Sequence, residues 1–226
     1  NLVRTVLDPV ACLLNLGLEI GRDLGVPIME GRQPDAAGFA RVAKRYLKDR
    51  GALHAEHGYK RPPEIVWSDD TYQGDAYGCF GYAAIAVEVE VDLDTAETKV
   101  LKVTTSQDVG KAIHPVLCAG QIEGGTLQGL GWALLEELRW KDGRVWNHQL
   151  TNYIVPTSAD APPMDVELVE IGYAHGPFGA KGGGELPMDV PAPAVVDAIA
   201  QATGCRIDEL PASPERVLRA LAEKRA

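Results

Sequence analysis

The sequence has little of what a metal cluster needs. Its 226 residues include four cysteines, at positions 12, 79, 118 and 205, and none lies in a C-x-x-C pair. That spacing suits neither an iron–sulfur cluster nor a zinc site, so buried free thiols in a reducing compartment are expected. The five histidines are scattered too; His54 and His57 are three apart, but no H-E-x-x-H occurs. No metal-ligating residues are expected from this chain. Positive charge is scarce as well: 22 Lys and Arg face 32 Asp and Glu, a net charge of -10. With neither a basic patch nor a basic tail, a nucleic-acid or anionic-membrane partner is disfavoured. No apolar run is long enough to span a bilayer. No signal peptide is visible, so a cytoplasmic location is expected. The chain opens on Asn1 in mid-pattern. It is expected to be a processed or excised part of something longer, or one subunit of a split polypeptide.

What is present is ordinary for a globular protein: 46% hydrophobic and 24% charged residues, enough for one or two domains. Residues 1–60 have helical, amphipathic patterning, with one helix expected from Asp8 and Pro9 to Gly25 and another from Asp35 to Gly51. A proline-containing linker follows, and residues 61–226 form the second expected domain. There the period changes: Val87, Val89 and Val91 alternate with Glu88, Glu90 and Asp92, the mark of a half-buried strand. "DLDTAETK" supplies a turn and "KVLKVTTSQD" the return strand.

"HPVLCAGQIEGGTLQGLGWALLEEL" predicts a helix starting at Pro115 and running to Leu138. Its glycines at 120, 124, 125, 129 and 131 each weaken a helix by about 1 kcal/mol relative to Ala. They serve close helix packing or the close approach of a ligand or another subunit. A short hairpin at "RWKDGRVW", a strand at "DVELVEI" and closing helices at "PAPAVVDAIAQATG" and "SPERVLRALAEK" complete the pattern. Strands and helices mix without a regular βαβ repeat, so the expected class is α+β, a mixed sheet with packed helices.

The strand "DVELVEI" leads into "GPFGAKGGGELPMD", residues 176–189, in which five glycines surround Lys181 and Glu185. Ordering so many glycines is entropically costly, which implies close backbone approach to something. A Walker A loop needs Ser or Thr after Gly-Lys, and Gly182 follows Lys181 instead. A dinucleotide fingerprint must open a helix directly, and here Pro187 intervenes. A carboxylate would also repel a phosphate. A carboxylate in such a loop suits a general base; the alternative is that Glu185 caps a helix beginning near Val190.

"GAKGGGELP" followed by "VPAPAVVDAIAQATG" and "LPASPERVLRAL" resembles the C-terminal end of the molybdenum-binding subunit of the xanthine oxidase family, the molybdenum hydroxylases. "QDVGKAIHPVLCAGQIEGGTLQGLGWALLEE" is similar to that family's pterin-contacting region, and "QGDAYGCFGYAAIAVEVEVDLDTAETKV" to the strand pair before it. The three segments keep family order and cover roughly residues 64–222. Departures are visible. The family's upstream half, with further glycine-rich cofactor loops and an arginine-containing segment, is absent. Glu185-Leu186-Pro187 stands where many members have Pro directly after the Glu, and "DTAET" where "DTGE" is usual.

The resemblance implies a C-terminal molybdopterin-binding lobe and a reaction that hydroxylates an electrophilic carbon with oxygen from water. It implies Glu185 as the base. It implies cofactor contacts from Gln121, Gly124, Gly125, Ala180, Lys181, Gly182, Gly183 and Gly184, with Phe178 on the substrate wall. Gln121 offers donors and an acceptor to a pterin edge; otherwise it is a helix-surface residue. Lys181 either pairs with a carboxylate or holds the loop, and has no catalytic role. The implied cofactor is molybdopterin with its molybdenum, in the plain or the cytosine dinucleotide form. Iron–sulfur clusters and FAD are implied on partner chains only: the other half of the molybdenum-binding region, an iron–sulfur subunit and a flavin subunit. A non-catalytic structural lobe is the other class of reading, with a nucleotide-binding module behind it.

Overall fold

The computed structural model describes residues 62–225, together with helical positions 41, 44, 45 and 47–49. The helix expected over 35–51 is helical at those positions; the one expected over 8–25 lies outside the described residues. The described chain divides into two compact units, one of residues 62–78 with 174–178, the other of 79–173 with 179–225. Among the described residues no helix is long and apolar enough to cross a membrane.

The smaller unit carries the two-residue strands β1 (Trp67–Ser68) and β2 (Gln73–Gly74), paired antiparallel. The Trp67 and Tyr72 rings meet edge-on at 5.1 Å, and His175 pairs with Glu64.

The larger unit is an α+β lobe around a three-stranded mixed sheet, in the order β3 (Ala83–Val91), β4 (Thr98–Asp108), β7 (Met164–Val169). The Val/Glu alternation produces the expected hairpin. Val87, Val89 and Val91 are half-buried and their Glu neighbours exposed. Glu88 faces Lys102 and Glu90 faces Lys99 across the pair, with a register shift between Glu88 and Val89; each such opposite-charge pair contributes about 0.2–1 kcal/mol. The turn is tied by the Asp92 carboxylate, which accepts from the amides of Asp94 at 2.8 Å and Thr95 at 2.9 Å. β4 pairs antiparallel with β3 and parallel with β7, in register from Val103↔Met164 to Asp108↔Val169. It is thus the central strand.

Helix α1 (Pro115–Leu134) starts at Pro115, with the His114 imidazole accepting from the Leu117 amide at 3.2 Å. It ends four residues short of the expected Leu138. Buried Asn147 is the reason: it accepts from the Arg139 amide at 2.8 Å and donates to the Glu137 carbonyl at 2.6 Å, drawing that backbone out of the helix. The hairpin β5 (Trp140–Lys141) and β6 (Arg144–Val145) follows. Its turn holds Asp142 and Gly143 at φ 51° and 74°, the left-handed pair that an Asp-Gly hairpin favours. After β7 come a single turn, α2 (Leu186–Asp189), then α3 (Pro191–Thr203) and α4 (Pro214–Arg225). The core forms where these elements meet: Val103, Leu130, Ala133, Val195, Ile199, Val217 and Leu221. Burying each large aliphatic side chain contributes about 1.5–3 kcal/mol.

Candidate active site

The glycine segment leaves β7 and is held at its first half by backbone pairing. Gly110, just past β4, forms an antiparallel bridge with Ala180. The Gly179 carbonyl accepts from the amides of Lys111 at 2.9 Å and Tyr173 at 3.0 Å, and the Lys181 amide donates to the Val109 carbonyl at 2.9 Å. Gly110 has φ +60°, and a Cβ there would run into the Gly179 carbonyl, so only glycine serves.

Lys181 turns inward. Its ammonium donates to Asp108 Oδ2 at 2.6 Å and to the Phe80 carbonyl at 3.1 Å. The pair is dry, with side-chain exposures of 8% and 2%. Burial works to raise the Asp108 carboxyl, but hydrogen bonds from Lys181, Gly110 and Ile171, with the Lys181 charge, outweigh it and hold Asp108 below the usual Asp range. Nothing in the sequence singles out Asp108; as the last residue of a β-pattern, it carries no mark of burial.

Beyond Lys181 the restraints stop. Gly182, Gly183 and Gly184 contribute none of the backbone hydrogen bonds found in the loops of the described residues. A Cβ at Gly182 or Gly184 would meet nothing within 4 Å, whereas at Gly183 it would come 3.3 Å from Val109. Ordering each such residue costs about 1–2 kcal/mol of backbone entropy, which the anchors on either side must supply. Glu185 follows. It is exposed and precedes α2, but its side chain makes no capping hydrogen bond. Among the described residues its carboxylate has no hydrogen-bonding or ionic partner, while its carbonyl accepts from the Met188 amide at 2.9 Å.

The second anchor is Pro187, buried against Gly125 of α1. Gln121 is exposed one helical turn before Gly125, on the same face of α1. Gly124 is open to solvent, and Gly125 is covered by Pro187. Ala180 is half-buried in its bridge to Gly110. Phe178 falls in the smaller unit, where it is 63% exposed with φ 53°. Among the described residues, the glycine segment thus carries an exposed, unpaired carboxylate beside bare glycine backbone, and α1 carries an exposed amide.

Residues 19–162 match the model of the molybdopterin cofactor-binding domain. A probable xanthine dehydrogenase subunit of Bacillus subtilis is 33% identical over 183 residues, covering 81% of this chain and 24% of that protein. An aldehyde oxidoreductase of Megalodesulfovibrio gigas is 38% identical over 150 residues, covering 66% and 16%. The crystal structure of the aldehyde oxidoreductase from Desulfovibrio desulfuricans superposes with a TM-score of 0.65 at 32% identity, covering 78% of this chain and 19% of that one. The chain spans a quarter or less of the length of each of these relatives. With a family match over more than half its residues, the chain belongs to the molybdopterin cofactor-binding family and corresponds to a part of the large subunit of xanthine dehydrogenase and aldehyde oxidoreductase relatives.

Proposed function

We propose that this chain is the glutamate-bearing part of a molybdenum hydroxylase, which oxidises a small substrate such as an N-heterocycle or aldehyde at an electrophilic carbon. The observation that carries the reading is the Glu185 carboxylate, left without a partner among the described residues between the Lys181 and Pro187 anchors.

The exposed groups on the glycine segment and on α1 suit a molybdopterin. Gly182 and Gly184 leave open space where side chains would stand, and so do Gly120 and Gly124 on α1. Gln121 is exposed on the same helix, with amide donors and an acceptor that match a pterin rim. When bound, the group supplies a metal that activates water as a Lewis acid and takes up two electrons. The residues of this chain do the rest. Glu185 accepts the proton of the attacking water oxygen, and its exposure gives it a route to release that proton to solvent. Gln121 orients the pterin rim. Bare backbone at Gly182 and Gly184 admits the cofactor closely, while Lys181 serves the loop from beneath. The cofactor carries its cytosine dinucleotide form or the plain one. The other half of the molybdenum-binding region completes the pocket, and an iron–sulfur subunit and an FAD subunit carry electrons away.

The test is Glu185→Gln in the assembled enzyme. Shape is kept and basicity lost, so turnover falls at least about 100-fold with molybdenum content unchanged. Near-normal turnover would return the chain to the structural-lobe reading. Elemental analysis of the isolated chain is expected to find far less than stoichiometric molybdenum, because the pocket is shared.

A further inference from the structure

We propose that Asp108 is a positioning residue for Glu185, an inference that rests on the reading of Glu185 as the base. Asp108 closes β4 and is 2% exposed. Each of its carboxylate oxygens has a task. Oδ2 holds the Lys181 ammonium at 2.6 Å, and Oδ1 accepts from the Gly110 amide at 3.1 Å. One side chain therefore ties together the end of the central strand, the left-handed turn at Gly110 and the glycine segment. Only the residues 182–184, all glycine, separate Lys181 from Glu185.

The clamp does two things for the base. It fixes the near end of a tether whose glycines have no stiffness of their own. It also commits the Lys181 charge to Asp108 and to the Phe80 carbonyl. A lysine four residues from Glu185 in a flexible tether would otherwise be free to reach that carboxylate and occupy it. Among the described residues Glu185 stays unpaired, because its nearest cation along the chain is held elsewhere.

The experiment uses the assembled enzyme with Asp108→Asn, Asp108→Asn/Lys181→Met and Glu185→Gln. Hydrogen exchange is read by mass spectrometry on cofactor-free enzyme, alongside kcat, KM and thermal unfolding of the loaded enzyme. Asp108→Asn is expected to speed exchange in 176–189 at least ~10-fold, with 191–203 unchanged, and to lower kcat at least ~10-fold with KM within ~3-fold, since small misplacements of reacting groups cost rate steeply. The double variant has no unpaired buried charge, so its thermal stability recovers. Its kcat stays low, because the tie is still gone. Unchanged exchange over 176–189 would overturn the proposal, and so would a kcat that recovers together with stability in the double variant. Should Asp108→Asn fail to fold, the double variant decides by the same two readings. Faster exchange with Glu185→Gln fully active would leave the clamp standing and remove the base assignment; the reverse pattern would do the opposite.

Discussion

Gly125 of α1 and Pro187, two residues past Glu185, touch across two helices: a Cβ at 125 would stand 2.9 Å from the Pro187 Cβ. Four residues on, Gly129 meets Pro191, where a Cβ would come 2.7 Å from the proline Cγ and 2.8 Å from the Met188 carbonyl oxygen. Glycines and prolines share the same spacing of four, so two ring edges seat in two bare turns of one helix. Gly125→Ala gains about 1 kcal/mol in helix propensity but overpacks the slot at about 1–3 kcal/mol. The expected result is a loss of up to about 2 kcal/mol, read by chemical denaturation, with reduced kcat because Glu185 immediately precedes α2. A Gly125→Ala protein more stable than the parent would show that the slot is loose.

Gly124→Ala should behave in the opposite way. Nothing lies within 4 Å of a Cβ there, so helix propensity acts alone and the cofactor-free protein gains up to about 1 kcal/mol. Where the pterin approaches that face, the methyl stands in its way, and molybdenum content of the assembled enzyme falls. Full molybdenum content in Gly124→Ala would remove this residue from the cofactor contacts.

Acid stability reports on the buried pair. The folded-state pKa of Asp108 lies below that of the unfolded chain. A depressed carboxyl contributes stability that is present above the unfolded value, about 3.9, and is lost as pH falls through the folded one. The parent should therefore be more stable than Asp108→Asn at pH 7. The gap should narrow below about pH 4 as Asp108 takes up a proton. Thermal unfolding of both across pH 2–7, at roughly constant ionic strength, measures it. A gap independent of pH would mean that the ion pair is not its source.

The sheet hairpin is readable in the sequence because Val87, Val89 and Val91 repeat with the period of a strand. Proline and glycine punctuation set the start of α1 at Pro115 and the end of α3 before Gly204, which has φ +67°. The early end of α1 is not readable, since it depends on Asn147 reaching back to residues 137 and 139. The turn α2 escapes a sequence reading because Pro187 looks like an interruption, whereas Pro is well placed in the first turn of a helix. Glu185 stands out as a carboxylate among glycines. Its support does not: Asp108 lies 73 residues from Lys181, and no local pattern announces a pairing at that distance.

The hairpin turn offers a last check in which competing terms nearly cancel. Ala96 has φ 59°, is fully buried in the core, and donates its amide to the Asp92 carbonyl at 2.7 Å. It stands where the resembling "DTGE" turns carry Gly. Holding a non-glycine residue in the left-handed region costs about 1–2 kcal/mol. Removing the methyl gives up about 0.8 kcal/mol of burial and adds about 0.4–1 kcal/mol of unfolded-chain freedom. Ala96→Gly should therefore lie within about 1 kcal/mol of the parent. Ala96→Val meets both obstacles together, a branched side chain at positive φ and a filled core, and should cost more than about 2 kcal/mol. Urea unfolding of the two variants checks the pair. A valine tolerated as well as glycine would mean that the turn relaxes out of the left-handed conformation and that Ala96 is not locked into the core.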